Sequence, residues 1–382
     1  MITTDAWVLH RSTTRTRGAL QLESVSFPAP RADEVLVEPL YGCWEANMSH
    51  ALARLPIDVC EARGEDRVVL GNAGVVRVVD ADPHVHGIHP GDLCLVFCSG
   101  LADAHGFPAK IFAYDAPGTI GVLARQTTLR IDQLIRIPEG SRHSLPQWAA
   151  FSLRYVTAWA NWKVAHACWR AFGTDEQESA ASVWGWGGGV TFAELQLARM
   201  AGFPTTMICS GAQRRRLLED TGIAAVDRGQ FSNLCYHPDR YATDAAYREL
   251  YQQAERSFLA LVMERTAGRG VSIFAEFIGL PVFRATLKAL GRPGIVTTAG
   301  WKHGMQVSSL RAMECMNWHT HVHTHYGRRG EAIEAVRFAE DRGWIPPIED
   351  VQYGWEDVPQ LAADYAAGRV AGYFPVFRIA SP

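Results

Sequence analysis

Seven residues in the middle of the chain have the make-up of a phosphate cradle: Gly185-Trp186-Gly187-Gly188-Gly189-Val190-Thr191. Glycines let a backbone turn tightly and approach a pyrophosphate. A helix that opens just after them offers unpaired N–H groups and a partial positive charge. Ser179 to Trp184 reads as a buried strand leading into this turn, and Phe192 to Ala201 as a helix leaving it. That context makes Gly185, Gly187, Gly188, Gly189 and Val190 candidate contacts to a dinucleotide. The last glycine expected of such a turn falls on Val190 or Thr191, which implies a shifted helix start.

The next strand, Thr205 to Cys209, is followed by Ser210-Gly211-Ala212-Gln213-Arg214-Arg215-Arg216. A carboxylate at this point would take the ribose 2′-OH of NAD. None is present. Ser210 is able to hydrogen-bond a 2′-phosphate, and Arg214 or Arg215 to pair with it, so the expected cofactor is NADPH.

Stepping outward, the elements around the turn alternate. Helix-compatible sequence runs from Leu145 to Trp169. Arg214 to Thr221 reads as a helix capped by Gly222, and Ala224 to Asp227 as a third strand. Ser272 to Phe277, a helix over Pro281 to Leu290, and Gly294 to Ala299 continue the series. This is the pattern of a doubly wound parallel sheet. The first 150 or so residues differ. Asp33 to Pro39, Gly74 to Asp80 and Leu93 to Phe97 are short strands at short spacing, with Pro90-Gly91-Asp92 as a turn. They predict a barrel-like unit.

At 382 residues the chain has room for two domains. Hydrophobic residues make up 48% and charged residues 20%, which supports a sizeable core. A net charge of −3 argues against a nucleic-acid surface. No apolar run approaches the about 18 residues that span a bilayer, and Met1 to His10 lacks the pattern of a signal peptide. The eight cysteines are scattered, as free thiols are. A cytoplasmic location is expected. The twelve tryptophans are read as core packing.

Taken together these residues resemble the medium-chain dehydrogenase/reductase superfamily. Gly71-Asn72-Ala73-Gly74-Val75-Val76 before Pro90-Gly91-Asp92, Thr157-Ala158-Trp159, and Ala366 to Gly372 carry the likeness. The resemblance implies an α/β chain with a GroES-like β-barrel catalytic domain over 1–156 and 326–382. A doubly wound Rossmann domain over 157–325 would lie between them in sequence, with Thr157 near the cofactor, and the assembly would be a homodimer. Within the superfamily the chain resembles crotonyl-CoA carboxylase/reductases. Val183-Trp184-Gly185, a polar insertion over Gln230 to Arg265, and Phe274-Ala275-Glu276-Phe277-Ile278-Gly279 carry that part.

Zinc members of the superfamily need a Cys, a His, and a further Cys or Glu, plus a four-cysteine site. Cys43 stands near the first ligand, but Leu70-Gly71-Asn72 replaces the expected Gly-His-Glu, and Cys94 and Cys98 are wrongly spaced for the second site. No metal is expected there. His319, His321, His323 and His325 would share one face of a strand, read here as interface polarity rather than a metal site.

Zinc-free relatives mostly reduce conjugated C=C bonds, in which the developing enolate is held by hydrogen bonds and the α-carbon then takes a proton. The resemblance places Asn47, the pair Tyr114-Asp115, and His325 or His323 at the substrate. Asn47, Asp115 and His325 are therefore the candidate catalytic residues. The substrate would be a small molecule, free or bound to CoA or a carrier. Reductive carboxylation of an enoyl-CoA, metal-free alcohol or ketone chemistry, and an NADPH-binding sensor without turnover are the alternatives.

Overall fold

A computed structural model describes residues 1–14, 16–82, 87–172, 181–300, 303, 320–323, 326–348 and 350–381, the strand 320–323 by its backbone alone. The chain divides into two compact units, one of Met1–Val156 with Gly327–Pro382, the other of Thr157–Tyr326.

The first unit is antiparallel. Glu34–Cys43 is its central strand, pairing with Gly74–Ala81 on one side and with Val376–Arg378 and Thr127–Arg130 on the other. Leu93–Val96 and Leu134–Arg136 extend the sheet beyond Gly74–Ala81. A second sheet of three strands is centred on Ile2–His10. Alternation drives the packing: along Glu34–Cys43, Val35, Val37 and Leu40 are fully buried. Val35 and Val37 join a core with Trp44, Phe112 and Phe377. Trp7 packs on Trp355 and donates its indole N–H to that residue's carbonyl at 3.0 Å.

The second unit is a six-stranded parallel sheet. Its order is Ala224–Asp227, Thr205–Cys209, Val183–Trp186, Val271–Glu276, Leu290–Thr297, Thr320–His323. In sequence terms this is third, second, first, fourth, fifth, sixth. Strand order reverses between Val183–Trp186 and Val271–Glu276, the point where such sheets open a crevice at their carboxyl ends. The longer helices between them are Gly189–Met200, Ala212–Asp220, Ala245–Arg265 and Leu280–Ala289.

The barrel-like and doubly wound patterns read from the sequence are both present. The strands Thr205–Cys209 and Ala224–Asp227 have the expected bounds. The helix after the glycine turn begins at Gly189, three residues before the sequence suggested. The insertion after Asp227 is less polar in practice than in composition. Its helix Ala245–Arg265 buries Tyr251, Phe258 and Val262 against Trp186 and Phe274. The seven described cysteines are free thiols. Among the described residues no helix is long and apolar enough to cross a membrane.

Candidate active site

In the second unit the glycine turn lies at the reversal point. Gly185 and Gly187 are there for close approach. A Cβ on Gly185 would meet the Ala275 carbonyl oxygen at 2.8 Å, and one on Gly187 would meet Thr191 Oγ1 at 2.2 Å and Phe277 Cβ at 3.0 Å. Gly188 differs: it is exposed, and a Cβ there would meet nothing within 4 Å. Space is therefore open on the side where the helix Gly189–Met200 starts. No side chain caps that start, so its first N–H groups face an incoming anion. Thr191, where a third glycine was expected, is fully buried and donates to the Trp186 carbonyl at 3.4 Å. It packs beneath the turn, which accounts for the early helix start.

Ser210 is exposed at the end of the second strand, and Gly211 with φ +89° turns the chain into the next helix. Arg214 and Arg215 are half-buried on its first turn. Arg215 is ion-paired through Nη1 to Asp227, whose other oxygen accepts the Gly229 N–H at 2.9 Å. The one carboxylate at the end of the third strand is thus neutralised by an arginine, and no acidic residue lies between Ser210 and Arg216. Residues of this kind fit a 2′-phosphate better than a 2′-hydroxyl.

One further group lines this part of the sheet. Glu276 ends the strand next to Trp186, and its Oε1 accepts the N–H groups of Ile278 and Gly279, both at 2.7 Å. Burial pushes its pKa up to about 7, against the two N–H donors, which pull it down. Thr157 is buried in the helix Leu145–Phe172, and its carbonyl accepts the Asn161 side-chain N–H at 2.9 Å.

In the first unit, the end of Glu34–Cys43 and the start of the helix Ala46–Ala53 enclose a buried polar cluster. Arg154 is its centre. Its Nε donates to Glu45 Oε2 at 3.0 Å, its Nη1 to the Tyr373 carbonyl at 2.7 Å and to Cys43 Sγ at 3.4 Å, and its Nη2 to the Trp44 carbonyl at 2.7 Å. Arg154 and Glu45 are each 4% exposed. Burial raises the Glu45 carboxyl above its ordinary range, and the Arg154 charge opposes that rise. Burial also raises the Cys43 thiol, far out of reach of ionisation. Four buried atoms nearby have no hydrogen-bond partner: Glu45 Oε1, Asn47 Oδ1, and both amide atoms of Asn72.

Of the residues singled out from the sequence, Asn47 falls in this cluster. Asp115 does not show an open carboxylate: Oδ1 closes its own turn by accepting the Ile111 N–H at 2.6 Å, and Oδ2 is 3.7 Å from Lys110 Nζ. His319 and His325 lie outside the described residues. His321 and His323 sit in the edge strand Thr320–His323, opposite Ile295 and Thr297. Among the described residues, no three His, Cys, Asp or Glu side chains gather as metal ligands would. Sequence reading missed Arg154, Glu45 and Asn72. The available signal was an arginine in a helical stretch, Leu145 to Trp162, that carries no other charge, so it must find a buried counter-charge.

No family model and no curated protein matches the sequence. Solved structures do. Crotonyl-CoA carboxylase/reductase AntE in complex with NADP has a TM-score of 0.78 at 20% identity, over 98% of this chain and 94% of that one. The 2-octenoyl-CoA carboxylase reductase CinF from a Streptomyces species, in complex with NADP and 2-octenoyl-CoA, gives 0.79 at 20% identity, over 98% and 87%. A thermostable alcohol dehydrogenase from Pyrobaculum aerophilum gives 0.72 at 18% identity, over 99% and 100%. The chain has the fold of the medium-chain dehydrogenase/reductases. Within that fold, the antiparallel unit corresponds to the GroES-like part and the parallel sheet to the Rossmann part.

Proposed function

We propose that the chain is an NADPH-dependent reductase of a C=C bond conjugated to a carbonyl or thioester. The observation that carries this is the glycine turn at the strand-order reversal, open above Gly188 and followed by a second strand whose end bears Ser210 and Arg214 instead of a carboxylate. The turn residues Gly185, Gly187, Gly188, Gly189 and Val190 would hold the pyrophosphate, and Ser210, Arg214 and Arg215 the 2′-phosphate. Thr157 would sit near the nicotinamide end. NADPH supplies the hydride when bound. The solved relatives that carry NADP support the choice of cofactor.

The choice of an alkene over a ketone rests on the first unit. Hydride addition to a carbonyl builds a full alkoxide, which zinc stabilises in superfamily dehydrogenases. Here Cys43 Sγ already accepts from a guanidinium, and Gly71 and Asn72 stand where the histidine and the glutamate of Gly-His-Glu would. A cation sharing that sulfur would meet the charge of Arg154. Addition to a conjugated alkene spreads charge over the system, and hydrogen bonds suffice. Asn47 is the first candidate for such a contact; the resemblance adds His325, which lies outside the described residues. Asp115, engaged in its own turn, favours reduction without carboxylation, although the relatives named above are carboxylating reductases. We place the enzyme in the cytoplasm as a homodimer acting on a small substrate, free or carried on CoA. The seven free thiols support the first point. The strand Thr320–His323, which pairs on one side only among the described strands, supports the second.

Fluorescence titration tests the cofactor reading. NADPH should bind more tightly than NADH. Arg214→Ala should weaken NADPH by about 1.5–3 kcal/mol, the worth of one charge-assisted contact, and leave NADH nearly unchanged. Equal affinities in the parent protein would overturn it.

A further inference from the structure

We propose that Cys235 is a thiol-exchange site, which forms a mixed disulfide with low-molecular-weight disulfides that carry a carboxylate. The site lies in the insertion Gln230 to Arg265, a part of the second unit that the cofactor reading leaves unused.

A cavity of about 400 Å³ opens there, and Cys235, His237, Arg240, Tyr247 and Leu250 stand on its wall. Small-molecule sites run from roughly 300 to 1,000 Å³. Cys235 is half-buried, His237 and Arg240 are exposed, and Leu250 is 48% exposed, so a ligand reaches this wall from solvent. Among the described cysteines, Cys43, Cys60, Cys94, Cys98 and Cys209 are buried, and Cys168 is the other half-buried thiol.

The local chain brings thiol and imidazole together. Cys235 and His237 are two residues apart, and the backbone is extended at His237 (φ −122°, ψ 109°), so their side chains fall on one side. Tyr236, between them, packs against the core of the unit, and its N–H donates to the Pro281 carbonyl at 2.8 Å. Cys235 Sγ and His237 Nε2 are 3.4 Å apart and share a hydrogen bond. Tyr247 gathers the other groups. Its hydroxyl donates to the Cys235 carbonyl, and the Arg240 guanidinium lies 4.2 Å from its ring centre. Asp244, also on the wall, caps the helix Ala245–Arg265 by accepting the Tyr247 N–H at 3.0 Å. Its Oδ2 stays 3.7 Å from Arg240 Nη2, beyond hydrogen-bond reach. The guanidinium therefore keeps donors for an incoming carboxylate.

A partly exposed thiol beside a base and a cation is the kind that exchanges. As Cys235 Sγ attacks one sulfur of the disulfide, its proton passes to His237 Nε2. The S–S bond breaks, and its electron pair leaves with the second sulfur, which takes the proton back from His237. Cys235 ends oxidised in the mixed disulfide, and the released half ends reduced as a free thiol. The incoming disulfide is the oxidant.

The test is peptide mapping by mass spectrometry of the folded chain, after brief exposure to oxidised glutathione and an acid quench. Cys235 should acquire the glutathionyl group at least about tenfold faster than Cys168 or Cys315. His237→Ala should slow the reaction at least about tenfold, the loss of a general base. The residue is exposed, so the variant should keep the parent's melting temperature. Arg240→Gln should slow oxidised glutathione about three- to tenfold and leave the neutral hydroxyethyl disulfide within about twofold. Modification of Cys168 or Cys315 as fast as Cys235 would overturn the proposal, as would a His237→Ala rate equal to the parent's. So would an Arg240→Gln effect that is the same on both disulfides. None of these outcomes depends on whether NADPH binds.

Discussion

Two buried glutamates, one from each unit, are held in opposite ways. Glu45 lies against Arg154, which also satisfies two backbone carbonyls. Glu194, on the helix after the glycine turn, is 1% exposed, and neither of its oxygens has a hydrogen-bond partner. Burial alone raises the Glu194 carboxyl far above its ordinary range, whereas at Glu45 a cation resists the rise. A buried carboxyl without a partner keeps its proton, and one beside a guanidinium is able to carry charge. The first arrangement is a liability of packing. The second keeps a charged pair inside the core.

The sharpest way to break this contrast is to remove the cation. Arg154→Met should destabilise the first unit by about 3–5 kcal/mol, because it leaves a buried carboxylate and two carbonyls without donors. Denaturant unfolding would measure it. A loss under 1 kcal/mol would show that the cluster is not the pin described here.

Removing the unpartnered carboxyl should do the reverse. The folded pKa of Glu194 is raised, so the folded state holds a proton that the unfolded chain releases. Stability is intact below the unfolded value and falls as pH rises above it toward the folded value. Glu194→Gln should therefore melt higher than the parent. Its advantage should grow from pH 5 to pH 8, with a slope of at most about 1.4 kcal/mol per pH unit. A difference that does not change with pH would contradict the assignment.

A smaller contrast lies within the glycine turn. Gly187→Ala drives a Cβ into Thr191 and Phe277 and should lower stability by about 1–3 kcal/mol. Gly188→Ala enters open space, so stability should change by no more than about 0.5 kcal/mol. It should still weaken NADPH, since the new methyl stands where the pyrophosphate would lie. Melting and titration of the two variants separate the effects.

These two regions also differ in how well the sequence revealed them. The nucleotide turn was legible because its physics is local. Glycines, a strand before and a helix after are contiguous in the chain, and the strands Thr205–Cys209 and Ala224–Asp227 followed from composition. Even there, Thr191 in place of a glycine moved the helix start to Gly189, a packing effect that local pattern does not encode. The buried polar cluster of the first unit was mostly illegible. Arg154, Glu45 and Asn72 come from three separate segments and meet only through the fold. Asn47 was found by resemblance. Asp115 was also found that way, but its partners at Ile111 and Lys110 are local to its own turn.

The central claim is that this fold, with these residues, passes hydride to a conjugated alkene. The most direct measurement follows the loss of NADPH absorbance with a panel of enones, enamides and enoyl thioesters beside matched saturated ketones. Each product is identified by mass spectrometry in deuterated water. The account predicts NADPH consumption with conjugated alkenes only, giving a saturated product that has gained one solvent deuterium and no carboxyl group. Consumption with ketones alone, or tight NADPH binding with no substrate reduced, would contradict it.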